Sequence, residues 1–323
     1  MGSMVARDGQ ATPFAGKGCA AISVVIPSYE SQATARATLE SLRRQSFRDF
    51  ETILVDSGQS DEVARIAADF SEVRYHRAPH RCLPHEARNI GVGLTRGELI
   101  VFSDPDIIAA PDWLEKLLKK YRAVAQPVAG AVASVQRNWL GLGIHLAKFD
   151  LWLPGGKTRN VPLAASVNFL CPRRLLEEVG GFDGREMIGD AILSWDLTER
   201  GHVLHFAPDA IVYHDHRSSF ADLLRERFVR GADFGRLRME REHWSAVRAF
   251  AMLLVTIFPL RLGKLVARAL TGSFRAGCKF DFIKTMPIIA AGHASWLAGE
   301  STQYWRRLHS LRTPHQAKRA CAS

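Results

Sequence analysis

From Ile22 onward the chain alternates short apolar runs with longer stretches whose apolar residues recur at helical spacing. Ile22, Val24, Val25 and Ile26 form a β-branched run stopped by Pro27, as expected for a parallel strand buried on both faces. Helical spacing over 33–45 follows, then an apolar run over 52–55 that ends at Asp56. A second helix is predicted over 61–70, N-capped by Ser60 or Asp61. A short strand over 73–75, a helix over 85–94 and a strand over 98–103 complete the alternation. Strand and helix in turn predict an α/β, doubly wound, mostly parallel sheet for residues 22–110. Beyond it the pattern predicts helices over 111–121, with Pro111 at N1, and over 175–179, ending at Gly180-Gly181. A helix over 192–200, strands over 202–207 and 211–214, and a helix over 220–242 follow. Residues 124–165 mix Gly, Pro and aromatics without a clear period.

In such sheets ligands sit outside the carboxyl ends of the strands. Here those ends carry Pro27-Ser28-Tyr29-Glu30, Asp56-Ser57-Gly58 and Asp104-Pro105-Asp106. None has the Gly-x-Gly-x-x-Gly turn of a dinucleotide fold or a Walker loop, which disfavours dehydrogenase and P-loop chemistry. Acidic strand ends point instead to a divalent metal and to hydrogen bonds with a base or ribose. Asp104 and Asp106, separated by one residue, offer hard oxygen ligands that Mg²⁺ or Mn²⁺ shares with phosphate and water.

The 323 residues are 47% hydrophobic and 24% charged, which excludes collagen-like, coiled-coil and fully disordered chains. The net charge of +10 is unevenly placed: residues 1–216 sum to −2 and residues 217–323 to +12. Five scattered cysteines have no metal-ligand spacing, so a reducing compartment is expected. Residues 1–20 read as a disordered leader, with Met1–Met4 as a cloning remnant and no secretory signal. In the basic last third, apolar stretches over 249–260 and 286–298 fall short of the roughly 20 residues of a membrane span. A nucleic-acid platform would interleave cations with stacking aromatics; here long apolar runs break the basic region, so no nucleic acid is expected. Residues 217–323 read as amphipathic helices against an anionic membrane surface, or as an oligomer interface.

Taken in order, VVIPSYE (24–30), VDSGQSD (55–61), ARNIG (87–91), FSDPD (102–106), GGFD (180–183), GDAILSWDLTERG (189–201) and IVYHDH (211–216) resemble the family 2 glycosyltransferases of the GT-A fold. The resemblance covers residues 22–216, so 21–216 is taken as the catalytic domain. It implies an inverting transfer from a nucleotide-sugar, with a UDP-sugar expected, to a hydroxyl of a glycan or lipid-linked acceptor. It also implies an enzyme of cell-envelope polysaccharide synthesis, cytoplasmic and peripheral at the inner face of the membrane. Pro27, Glu30 and Asp56 would line the nucleotide pocket, with Arg88, Asn89, Asp104 and Asn168 beside the nucleotide and sugar. Asp106 and His214 would hold Mn²⁺ or Mg²⁺, and Asp190 would act as base. Trp195 and Arg227 are candidates for acceptor or diphosphate contacts, the latter by a partial match of Arg227-Phe228 to an Arg-Trp motif. Two departures stand out: Gly189 replaces the usual glutamate before Asp190, and Ser57 a common second aspartate. Loss of that glutamate leaves a non-catalytic subunit of a membrane complex as the alternative.

Overall fold

The computed structural model describes residues 20–257 and 259–310, so the expected leader falls outside them apart from Ala20. In chain order the elements are β1 Ile22–Ser28, α1 Ala35–Arg43, β2 Phe50–Asp56, α2 Glu62–Ala68, β3 Val73–Arg77, α3 Pro84–Leu94 and β4 Leu99–Ser103. Next come β5 Ile107–Ala109, α4 Trp113–Val124, β6 Val128–Ser134, α5 Trp139–Phe149, β7 Arg159–Asn160 and β8 Asn168–Pro172. They are followed by α6 Arg173–Val179, α7 Gly189–Glu199 and β9 His205–His214. Four helices close the described chain: α8 Phe220–Arg241, α9 Ala246–Ile257, α10 Pro259–Arg275 and α11 Lys279–Ser310.

Among the described residues one sheet runs β3-β2-β1-β4-β8-β6-β9-β5, with β7 beside β9. Its first four strands are parallel, as the alternation predicts. Its second half is mixed: β8 runs antiparallel to β4 and β6, and β5 antiparallel to β9. The apolar runs are continuous because both faces are covered. Val24 and Ile26 pack with Leu39 and Trp113 on one side, while Val25 and Phe102 pack with Leu193 and Leu197 on the other.

Three boundaries differ from the sequence pattern. The two strands expected near 202–214 are one, β9, whose pairing with β6 shifts register between Gly130 and Ala131. The α7 helix starts at Gly189, not at 192, which puts Asp190 in its first turn. The α4 helix starts at Trp113 after Asp112, leaving Pro111 just outside.

The C-terminal helices fold back on the sheet domain. The α8 and α11 backbones are in direct contact because Gly231 and Gly299 face each other's helix. A Cβ at 231 would lie 2.1 Å from the Trp296 carbonyl oxygen, and one at 299 the same distance from that of Phe228. Much of the basic excess is used internally: Arg236 binds Glu186, Arg241 binds Asp196 and Glu199, and Arg268 binds Asp150.

Asn168 lies in this core and not beside the cleft, correcting its expected donor contact. Its amide donates to the Ala131 and Ala210 carbonyls and accepts from Trp113 Nε1, all at 2.8–2.9 Å. It thereby satisfies carbonyls on both strands at the register shift, and Gly130 leaves room for it, since a Cβ there would lie 2.3 Å from the amide. Asn168→Ala orphans three buried polar groups and is expected to cost about 3 kcal/mol in urea unfolding.

Candidate active site

At the end of β4 the chain turns through Asp104-Pro105-Asp106 and re-enters the sheet as β5, antiparallel to the end of β9. Ile107 sits opposite His214, and Asp215 N–H donates to the Asp106 carbonyl at 2.8 Å. This pairing gathers ligand atoms of Asp104, Asp106 and His214 within 4.8 Å of one another. Burial, and next the charge of Asp104, push the Asp106 carboxyl up to about 7. Burial lowers His214 to about 4, so its imidazole is neutral. Asp106 Oδ1 and His214 Nδ1 are buried without a hydrogen-bond partner. His214 stacks on His216 at 4.2 Å. His216 Nε2 meets His145 Nδ1 at 3.0 Å, and His145 Nε2 meets the Val132 carbonyl at 3.2 Å. That carbonyl requires a proton on His145 Nε2, so His216 donates through its own Nε2.

The facing wall comes from α3. Arg88 is buried, pairs with Asp104 and donates to His85 Nδ1 at 3.2 Å. His85 stacks on Phe182 and is held well below its usual pKa by burial and by Arg88. Asp190 completes the enclosure from the first turn of α7. Gly189 has a packing cause: a Cβ there would lie 2.7 Å from the His85 ring and 2.8 Å from the Asp183 carbonyl oxygen. A side chain at 189 would require the His85 ring and that carbonyl to shift, so glycine suits the local packing. Pro27, Glu30, Arg88, Asp104, Asp106, Asp190 and His214 all line one open cleft of about 640 Å³. Glu30 holds its position with a left-handed backbone, φ 51°, and accepts from Gln59 N–H.

Besides Asn168, four expected residues do not line this cleft. The Asp56 carboxylate has no exposed surface and is held by Ser28, Gly58 N–H and Tyr75, with Arg77 at 3.6 Å. A base reaches it only by displacing one of these groups. Asn89 turns away and exchanges two hydrogen bonds with the Phe182 backbone. Trp195 packs between Phe234 and Arg241. Arg227 lines a separate cavity behind Asp190. Conversely, Lys148, Glu226 and Arg230 line the cleft unannounced by any motif. Burial drives Glu226 upward, but Lys148 at 2.8 Å and Arg230 outweigh it and hold the carboxyl at about 2. Helical spacing puts 226, 227 and 230 on one face of α8, and an isolated charge run does not reveal that this face turns inward.

Residues 23–180 match the sequence model of glycosyl transferase family 2. Over those residues, just under half of its length, the chain carries a glycosyl transferase family 2 domain. Its relatives include the pre-mycofactocin glycosyltransferase of Mycobacterium tuberculosis, 29% identical over 278 residues, which cover 78% of this chain and 56% of that protein. The chain thus spans little more than half the length of that relative. The succinoglycan biosynthesis protein ExoM of Rhizobium meliloti is 25% identical, covering 69% of this chain and 67% of ExoM. In fold, the chain is similar to a Pyrobaculum calidifontis mannosyltransferase solved with GDP-Man and Mn²⁺. The TM-score is 0.53 at 19% identity, covering 86% of this chain and 88% of that one. The GT-A fold expected from the motifs is therefore the fold observed.

The role of Asn89 here is to pin the 181–184 turn that leads into Asp190. Asn89→Ala is expected to speed amide exchange at Phe182 and its neighbours, with a local stability loss of about 1–2 kcal/mol. Unchanged exchange there contradicts that role.

Proposed function

We propose that the protein moves a sugar from a nucleoside-diphosphate donor to an acceptor hydroxyl with inversion, using Asp190 as the base. The observation that carries this reading is the convergence of Asp104, Asp106 and His214 with Asp190 on the walls of one cleft. The donor set fits a divalent cation: two carboxylates and a neutral imidazole, with a buried Asp106 oxygen that no protein group satisfies. Asp106 and His214 would hold the ion, with Asp104 shared between it and Arg88. Mn²⁺ or Mg²⁺ bound there offsets the charge of the diphosphate as it leaves. Asp190 takes the proton of the acceptor hydroxyl as its oxygen bonds to the anomeric carbon. The bond from that carbon to the diphosphate breaks on the opposite side, which inverts the configuration. Arg88 holds Asp104 in place, and Lys148 and Arg230 add positive charge to the same cleft. UDP is the first nucleotide to test, with GDP beside it.

The cytoplasmic, membrane-peripheral placement belongs to the same proposal. Val247, Phe250, Ile257, Leu260, Phe280 and Ile283 expose half or more of their surface on α9–α11. Lys279 and Lys284 lie in the same α11 segment as Phe280 and Ile283. No described helix is by itself long and apolar enough to cross a membrane. Such a surface suits an anionic leaflet without spanning it. Vesicles containing anionic lipid are expected to float with the protein at low salt and release it at high salt; no flotation at either contradicts the placement.

For the chemistry, the measurement is sugar transfer and donor hydrolysis with Mn²⁺. Asp190→Asn is expected to lower kcat by about 10³-fold at little changed donor KM. Asp106→Ala or removal of the metal by EDTA is expected to weaken donor binding itself. Activity of Asp190→Asn within tenfold of wild type removes Asp190 as base.

A further inference from the structure

Behind Asp190 lies a second cavity of about 360 Å³, enclosed between the end of α5, the start of α7 and helices α8, α10 and α11. Lys148, Asp190, Glu226 and Arg230 line both this cavity and the donor cleft. The proposed base therefore faces two chambers, one carrying the metal corner and one without it.

The second chamber is rich in cations, and most are matched. Lys148 and Arg230 share Glu226, Arg261 binds Glu300, Arg268 binds Asp150 and Arg238 binds Glu242. Two are left over. Arg227 is enclosed by protein, its Nε has no partner, and its only hydrogen bond is a long one of 3.4 Å to His293 Nδ1. Burial brings Arg227 down to about 10, so it is still charged at neutral pH, whereas His293 is lowered to about 3 and brings no charge. Lys264, on the rim, makes no ion pair with a described residue. The acids that act on Arg227, Asp150 and Glu226, are each already bound by another cation, and a buried guanidinium that shares its counter-charges in this way is better satisfied when a further anion arrives.

The remaining walls are apolar. Arg227 lies 4.4 Å over the Trp296 ring, with Phe234 beside that ring at 5.4 Å. Arg238, Arg261 and Lys264 also border a shallow groove whose other side is Met252, Val255 and Leu260, on the exposed face where α9 meets α10. Asp190, Arg227 and Lys264 thus line one cavity, and Lys264 also borders the apolar groove.

We propose that this cavity is the acceptor site, and that the acceptor is an anionic amphiphile. Its hydroxyl would lie at Asp190, a phosphate monoester between Arg227 and Lys264, and an apolar chain along the α9–α10 groove. Two unmatched cations suit the charge of about −1.5 to −2 that a phosphate monoester carries at neutral pH. This assignment rests on the transferase reading above.

The test is a titration followed by tryptophan fluorescence, since Trp152 and Trp296 line the cavity. The probes are dodecyl phosphate below its micelle concentration, dodecanol, and inorganic phosphate. Wild-type protein is expected to bind dodecyl phosphate at least tenfold more tightly than either of the others. Arg227→Gln is expected to abolish that advantage, Arg227→Lys to restore part of it, and Lys264→Gln to weaken it several-fold. Because Lys264 is exposed, its variant keeps the test open if Arg227→Gln fails to fold. Equal affinity for dodecyl phosphate and dodecanol overturns the anion assignment. Inorganic phosphate binding as tightly as dodecyl phosphate overturns the amphiphile and leaves free phosphate as the ligand. Full affinity in a folded Arg227→Gln overturns the role of Arg227. UDP and GDP with Mn²⁺ are titrated in parallel. Nucleotide binding without dodecyl phosphate binding overturns the cavity assignment alone, while absence of nucleotide binding overturns the transferase reading.

Discussion

The short antiparallel pairing of residues 107–109 with 212–214 holds together chemistry drawn from two distant parts of the chain. It brings an Asp-x-Asp turn and a histidine more than a hundred residues apart into one corner, at the edge of the sheet. The corner is electrostatically uncomfortable on its own. Burial and the neighbouring Asp104 raise Asp106, and its inner oxygen has no hydrogen-bond partner, with His214 Nε2 3.5 Å away. Arg88 relieves only Asp104. A buried carboxylate oxygen without a hydrogen-bond partner, beside a neutral imidazole, has the donor chemistry on which the proposed cation site rests.

The same logic extends to the basic last third. Its charge is directed inward as much as outward, because Arg236, Arg241 and Arg268 bind acids at 150–199 and fasten the C-terminal helices to the sheet domain. Glycines at the α8–α11 contact let those helices approach closely enough to enclose a chamber behind Asp190. Arg227 and Lys264, which make no ion pair with a described residue, border that chamber. The exposed apolar side chains of α9 and α10 lie beyond its outer rim.

The parallel half of the fold was legible because its strands are continuous apolar runs and its helices strongly amphipathic, so local pattern and tertiary burial agree. That Asp104, Asp106, His214 and Asp190 would meet in one cleft was legible because their motifs sit at strand and helix ends, where backbone geometry sets side-chain direction. Misplaced residues share a different trait. Asn168 and Asn89 are polar side chains whose partners are backbone carbonyls and amides far away in sequence, and no local pattern records that commitment. Gly189 looked like a lost acid until the His85 ring and the Asp183 carbonyl were found where a side chain would go. Lys148, Glu226 and Arg230 were invisible for want of any signal that α8 turns its charged face inward. The register shift in β9 arises from pairing with β6 and merged two expected strands into one.

The most direct measurement is a crystal structure of the protein soaked with Mn²⁺ and UDP, with anomalous data collected at the manganese edge. The account predicts one strong peak bounded by Asp106 and His214, with the diphosphate beside it and Asp190 facing the space where the sugar would be. An anomalous peak elsewhere with none at Asp106, or a diphosphate bound away from this corner, contradicts it.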